Sequence, residues 1–423
     1  MAEEEKNQDK GEENRIIKIY HFPLRRKETE ENNTYQSLPY PEIRRRRSLS
    51  QKQRSIFIEA GIVTAIALVL IIIMPALLSN FRLNLLGRFL SLAIAALGID
   101  LIWGYTGLLS LGHGVFFALG GYAIAMHLAL QIPPDASSRL PEFMTLYRIK
   151  ELPWFWEPFN YLEFSLLALL IIPALVAAFI GYLVFRNRIR GVYFSIITQA
   201  MTIVFYNFFN GQQDLFNGTN GLKDFKTLLG FNVNVPETQW VFYALTVIVL
   251  ALIYALCRWL TTGRFGRLLI AIRDDESRVR FSGYNPTGFK VLVFALSGAI
   301  AGLAGALYTL QTGLVSPRAM DIAFSIEMVI WVAVGGRATL IGAIVGTLVV
   351  NFAKSLLSEQ FPDVWLFFQG SLFLLVVMAL PNGLVGWWRE TAIEWVRSRF
   401  GIRRQLMTYP QLETDPEVER ERE

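Results

Sequence analysis

Long uncharged runs alternate with short polar connections through most of the sequence. In 62-IVTAIALVLIIIMPALL-78 no position is charged, and similar runs recur near the ~20 residues that a helix needs to cross a ~30 Å hydrocarbon layer. Ten are recognisable, at roughly 56–78, 85–103, 113–131, 163–185, 191–209, 240–260, 290–311, 322–334, 339–358 and 364–386. The eighth is too short for a regular crossing. The pattern predicts an all-α integral membrane protein of about ten transmembrane helices. Residues 55–390 form its membrane domain, between charged segments at 1–54 and 391–423.

Two glycine-rich intramembrane breaks stand among the runs. The first, 104-GYTGLLSLGHG-114, holds Gly104, Gly107, Gly112 and Gly114; the second, 335-GGRATLIG-342, opens with Gly335 and Gly336. Non-helical backbone at membrane depth survives only where protein or a wet cavity satisfies its N–H and C=O groups. Thr106 and Ser110 are placed to bond such groups, while the glycines permit positive φ and close helix approach. Two readings stay open, the lining of a path and a tight packing turn. Paired interrupted segments point to a midplane binding region in many transporters, although the two halves here do not align into a repeat.

Composition and charge sharpen this picture. Of 423 residues, 53% are hydrophobic and 18% charged, which excludes a set of ordinary soluble domains. The connections and flanks at 41–55, 186–190, 261–290, 335–338 and 387–404 hold 21 Lys and Arg, against seven in those at 79–84, 132–162, 210–239, 312–321 and 359–363. Basic connections face the cytoplasm, so both termini are expected there, in a multi-pass protein of a bacterial plasma (inner) membrane. The 1–54 segment is expected to be a largely disordered tail, with 44-RRRR-47 touching anionic lipid headgroups or a partner. No short apolar region precedes a small-residue cleavage site, so a secretory signal peptide is not expected.

Ionisable residues within the runs are few. Asp100 and Glu327 each cost at least ~2.5 kcal/mol at the bilayer centre, so both should face protein or water. Asp100 reads as structural near an interface, Glu327 as helix–helix glue or as part of a route, and Arg88 as a side chain reaching toward the nearer surface. His21, His113 and His127 are too scattered for a metal cluster, and Cys257 alone gives no disulfide within the chain. No metal site is expected. No phosphate-binding G-x-x-x-x-G-K-[ST] loop occurs, so nucleotide energy has to come from a partner.

One connection carries a helical pattern of its own. In 264-RFGRLLIAIRDDESRVRFSGYNPTGFK-290, Leu268, Leu269, Ile272 and Val279 fall at helical spacing, and Asp274/Arg278 and Glu276/Arg280 form i,i+4 pairs. The spacing predicts a short, charged helix that Gly283 can end and Pro286 bars from resuming. It is either a docking element or a solvated connector.

These stretches resemble the permease subunits of the branched-chain amino-acid-type ABC importer family. The resemblance runs over about 55–390, through 98-GIDLIWGYTGLLSLGHGVFFALGGYA-123, 217-NGTNGLKDF-225, 271-AIRDDESRVRFSGYNP-286, 302-GLAGALY-308, 326-IEMVIWVAVGGRATLIGAIVG-346 and 381-PNGLVG-386. The wording of 271–286 and 326–337 is similar to the second permease of urea importers. The resemblance implies a non-enzymatic permease subunit of an ATP-driven importer for urea, with branched-chain amino acids as the alternative substrate. It implies a heterodimer with a second permease, two ATPase subunits that hold ATP and Mg, and an extracytoplasmic substrate-binding protein; this chain has no cofactor. Nucleic acid is not an expected partner. Arg273, Asp274, Asp275, Glu276 and Arg278 are the implied coupling contacts. Arg337 stands where the family more often has a small or polar residue, so nothing is carried over there.

Neutral urea, with one acceptor oxygen and four N–H bonds, needs mixed donors and acceptors. Ser195, Gln199, Asn207, Glu327 and Trp331, with Thr198, supply these, and Ser110 and His113 beside the first break complete the candidate pathway. A zwitterionic amino acid would more naturally meet a cation as well as an anion. A self-contained ion-coupled transporter or channel would leave the charged loop without a task, and an intramembrane enzyme lacks a catalytic constellation.

Overall fold

The computed structural model describes residues 49–361 except 133–137, 139 and 234, together with 367, 370, 371, 374, 378 and 383–388. The expected tails and most of the tenth run lie outside the described residues. Two units are distinguished, Met1–Ile56 and Phe57–Glu423, and the architecture below is that of the second.

Thirteen helices are described: α1 (Leu49–Leu77), α2 (Asn80–Thr106), α3 (His113–Leu130), α4 (Glu142–Leu146), α5 (Leu162–Arg186), α6 (Val192–Gly211), α7 (Gln213–Phe216), α8 (Pro236–Thr262), α9 (Arg264–Asp274), α10 (Glu276–Phe281), α11 (Pro286–Thr312), α12 (Ile322–Gly335) and α13 (Leu340–Gln360). Seven of these, α2, α3, α5, α6, α8, α11 and α13, are long and apolar enough to cross a membrane. Two shorter apolar helices, Gly61–Leu77 within α1 and α12, occupy the first and eighth runs. At 14 residues, α12 rises only ~21 Å, as its short run foretold.

Helix α11 lies at the centre, packed on α2, α3 and α5, while α13 joins α12 to α2 and α8 covers the other side of α2. Small residues make the central crossing close. A Cβ on Gly120 would overlap the Gly302 carbonyl, and one on Gly305 would overlap that of Phe117, so α3 and α11 touch backbone to backbone. Helix α5 instead turns Leu167, Leu175 and Phe179 outward, as suits a helix facing lipid. Two short ribbons accompany the helices: Leu222–Lys223 pairs antiparallel with Leu314–Val315, against α3, and Thr227–Leu228 with Phe231–Asn232.

The predicted loop helix is two helices meeting at Asp275. There the backbone turns extended, and the Asp275 carboxylate accepts from the N–H groups of Ser277 and Arg278, capping α10. Aspartate competes with a continuing helix by bonding backbone just ahead of it. One predicted pair changes accordingly: Arg278 meets Asp275 and Asp274 meets Arg273, while Glu276–Arg280 forms as expected. Gly283, at φ 83°, ends α10. Pro286 then opens α11 at its first turn, four residues before the predicted start, with Asn285 as cap.

Candidate functional site

The first break is a short turn between α2 and α3. Gly107 takes the left-handed conformation that ends α2, at φ 73°. Beyond it the freed backbone finds partners on α6: Ser195 Oγ donates to the Leu109 carbonyl (2.7 Å), Thr198 Oγ1 accepts from Leu111 N (3.0 Å), and Thr202 Oγ1 donates to the Leu111 carbonyl (3.3 Å). Ser110 Oγ accepts from Gly112 N, whereas Thr106 bonds back to Ile102 within its own helix. A Cβ on Gly112 would stand 2.6 Å from the Thr198 carbonyl, and one on Gly114 2.6 Å from that of Ala319. His113 is fully buried, among Phe116 and Phe294. Its Nε2 lies 2.7 Å from Ser297 Oγ, whose own proton goes to the Gly98 carbonyl, so Nε2 is assigned as the donor.

The second break rests on the end of α2. Asp100 Oδ1 accepts from Ala338 N (2.7 Å), Tyr105 Oη donates to the Ala338 carbonyl (3.4 Å), and Arg337 stacks over the Trp103 ring. These contacts hold Ala338 at φ 58° and Gly336 at φ 116°, and a Cβ on Gly104 would meet Ala338 N at 2.5 Å. Gly335 packs equally closely on Gly342. Arg273 of the loop reaches the same place, donating from Nη1 to the Gly104 carbonyl (2.9 Å). Thus Arg273 ties the loop inward, while Asp274 and Arg278 stay exposed.

Glu276 has a different role from its neighbours. It is buried, and its carboxylate meets Lys290, Arg280 and Arg190. Burial raises its pKa, but hydrogen bonds from Lys290 and Arg280 and the charge of Arg190 outweigh that and hold it below the usual glutamate value.

Glu327 and Trp331 line a cavity of about 240 Å³ with Arg88, Asn351 and Lys354. Lys354 Nζ bonds both Glu327 oxygens, at 2.8 and 2.9 Å. Leu85, Phe89, Leu92 and Phe324 give the cavity apolar walls, and the buried Trp331 Nε1 has no protein partner. Sequence reasoning missed Lys354, whose place in the ninth run, 27 residues after Glu327, was the available signal. Of the other candidate pathway residues, Ser195 is used by the first break, Gln199 is half-buried and Asn207 is exposed on α6. The structure therefore forms three groups from the candidates, one at each break and one around Glu327. Among the described residues no group of His, Cys, Asp and Glu is arranged to hold a metal.

A second cavity of about 240 Å³ lies toward the Asn80 end of α2, and Arg88 lines both. Arg88 reaches toward that end, as expected: its Nε donates to Asn84 Oδ1 (3.2 Å), one turn nearer Asn80, and its Nη2 to the carbonyl of Gln311 (3.3 Å), next to the last residue of α11.

Comparison with known proteins bears on these features. Residues 81–377 match the family model of the branched-chain amino acid transport system / permease component. The chain is 25% identical to the high-affinity branched-chain amino acid transport system permease protein LivM of Salmonella typhimurium, over 79% of this chain and 76% of that one. It is 26% identical to LivH of the same system and organism, over 70% and 91%, and 25% identical to the ribose import permease protein RbsC of Haemophilus influenzae, over 49% and 61%. No solved structure matches. A multi-pass helical chain with two glycine breaks, matched over most of its membrane domain, belongs to the branched-chain amino acid transport system permease component family.

Proposed function

We propose that this chain is a transmembrane subunit of an ATP-driven importer for amino acids with branched apolar side chains. The observation that carries the reading is the Glu327–Lys354 pair in a cavity of mixed lining, which Leu85, Phe89, Leu92 and Phe324 share with Asn351, Ser355 and Ser358 and, among the described residues, with no further carboxylate. An α-amino acid brings a carboxylate and an ammonium that can replace each partner of that pair, and its hydrocarbon side chain suits Leu85, Phe89 and Phe324. Urea has neither charge. The hydroxyls of Ser195 and Thr198 that suited a neutral solute are engaged with the first break, so the amino-acid reading has the better support. LivM and LivH, both among the relatives, are named for one transport system, which supports a second permease beside this chain. Two ATPase subunits would meet α9–α10 from the cytoplasm, and a substrate-binding protein would deliver solute at the Asn80 end of α2.

The test is uptake of labelled leucine and labelled urea by cells with and without this chain. Leucine uptake is expected to depend on it and to be competed by isoleucine and valine, with Glu327→Gln lowering it about tenfold or more. Chain-dependent uptake of urea but not leucine would overturn the reading.

A further inference from the structure

Arg88 is a cation held in place without a counter-ion. It lies eight residues into α2, ~12 Å from that helix end, and among the described residues no carboxylate is within ion-pair reach of it. It is half-buried, and its surroundings fix it by a continuous chain of hydrogen bonds. Gln239 Nε2 donates to the Val233 carbonyl (2.6 Å), Asn84 Nδ2 donates to Gln239 Oε1 (2.9 Å), and Asn84 Oδ1 accepts from Arg88 Nε. On its other side Arg88 Nη2 donates to the carbonyl of Gln311, whose buried side chain is held by Thr246 (2.8 Å). Every partner is a neutral acceptor, so the positive charge is oriented but not neutralised.

Position supplies the second observation. Arg88 lines both the cavity bounded by Asn84, Gln239 and Gln311 and the cavity bounded by Glu327 and Lys354. A guanidinium offers five donors in a planar fork that suits a carboxylate, and only Nε and Nη2 carry bonds to the protein here.

We propose that Arg88 is a carboxylate-binding site between the two cavities, receiving the α-carboxylate of a free amino acid from the Asn84 side and passing it to Lys354. The assignment rests on the amino-acid reading above. It adds a directional step: the carboxylate exchanges Arg88 for Lys354 as the ammonium reaches Glu327, so the zwitterion enters with its carboxylate leading. A neutral solute has no use for such a relay.

Three variants, assayed for leucine uptake in the assembled importer, test it. Arg88→Gln removes the charge and is expected to lower uptake about tenfold or more. Arg88→Lys keeps the charge and is expected to retain at least a third of it. Asn84→Asp changes one atom and supplies a permanent counter-ion, so it is expected to lower uptake as Arg88→Gln does, although it leaves Arg88 better paired in the fold. Equal recovery of the partner subunits with each variant separates these effects from misassembly. Wild-type rates in Arg88→Gln or Asn84→Asp, or a loss in Arg88→Lys as deep as in Arg88→Gln, would overturn the site while leucine remained the substrate. Absence of leucine uptake by the unaltered chain would overturn the amino-acid reading, and the site with it.

Discussion

Gly120 and Gly305 have no side chains to contribute, yet they set the distance between the two most central helices. Each lies against a backbone carbonyl of the other helix, so an added methyl group meets a rigid neighbour. Gly120→Val is expected to push α3 from α11 and cost roughly 1–3 kcal/mol, read as a lower melting temperature of the purified subunit. Buried polar residues show why some roles were legible and others were not. Asp100 was expected to be structural, and it is, because a carboxylate in an apolar run has to find a donor; that the donor is Ala338 N, 238 residues away, leaves no trace in local sequence. Arg88 was expected to reach toward the nearer helix end, and it does, but that its partners there are Asn84 and the Gln311 carbonyl, the latter 223 residues away, is likewise invisible in local sequence.

At the scale of elements, the loop from Arg264 to Phe281 is two short helices anchored on either side of their junction at Asp275. Arg273 pins α9 to α2, and Glu276 pins α10 to Arg190 and Lys290 while pairing with Arg280 within its own helix. Glu276→Gln leaves three cations around a neutral amide and is expected to cost roughly 3 kcal/mol. The same carboxylate gives the loop a pH dependence. Its folded pKa is lowered from 4.5, so its contribution is full above that pH and is lost as pH falls through the lower folded value. Protection of α10 amides against hydrogen exchange, relative to their intrinsic rates, is expected to fall below pH 4.5 in the wild type and to be insensitive to this pH range in Glu276→Gln. Apolar periodicity made the helices of this loop visible, but not their division. Asp274, Asp275 and Glu276 look alike in a sequence, and only geometry separates an exposed charge, a helix cap and a buried hub.

Across the whole molecule the hydropathy pattern located nine of the ten runs on helices, because apolar length is a local property. What it could not supply were the partners of the breaks, which sit on α6 and α2, far along the chain. Contact with an ATPase also belongs to this scale. Asp274 is exposed and caps nothing, so Asp274→Lys tests docking without uncapping α10, as a change at Asp275 would. The expected outcome is substrate uptake falling at least about fivefold while the subunit stays in the membrane; unchanged uptake would assign the loop to scaffolding alone.

The turn at 107–112 has a consequence for movement. Its carbonyl and amide groups at Leu109 and Leu111 are held by hydroxyls of α6, and drawing the turn away from α6 would strand all three groups. Helices α3 and α6 are therefore expected to travel together when the permease changes state. The hinge of such a swing lies outside this clasp, and Gly191, with positive φ and open space around its Cα just before α6, stands where the chain can flex without stranding a polar group.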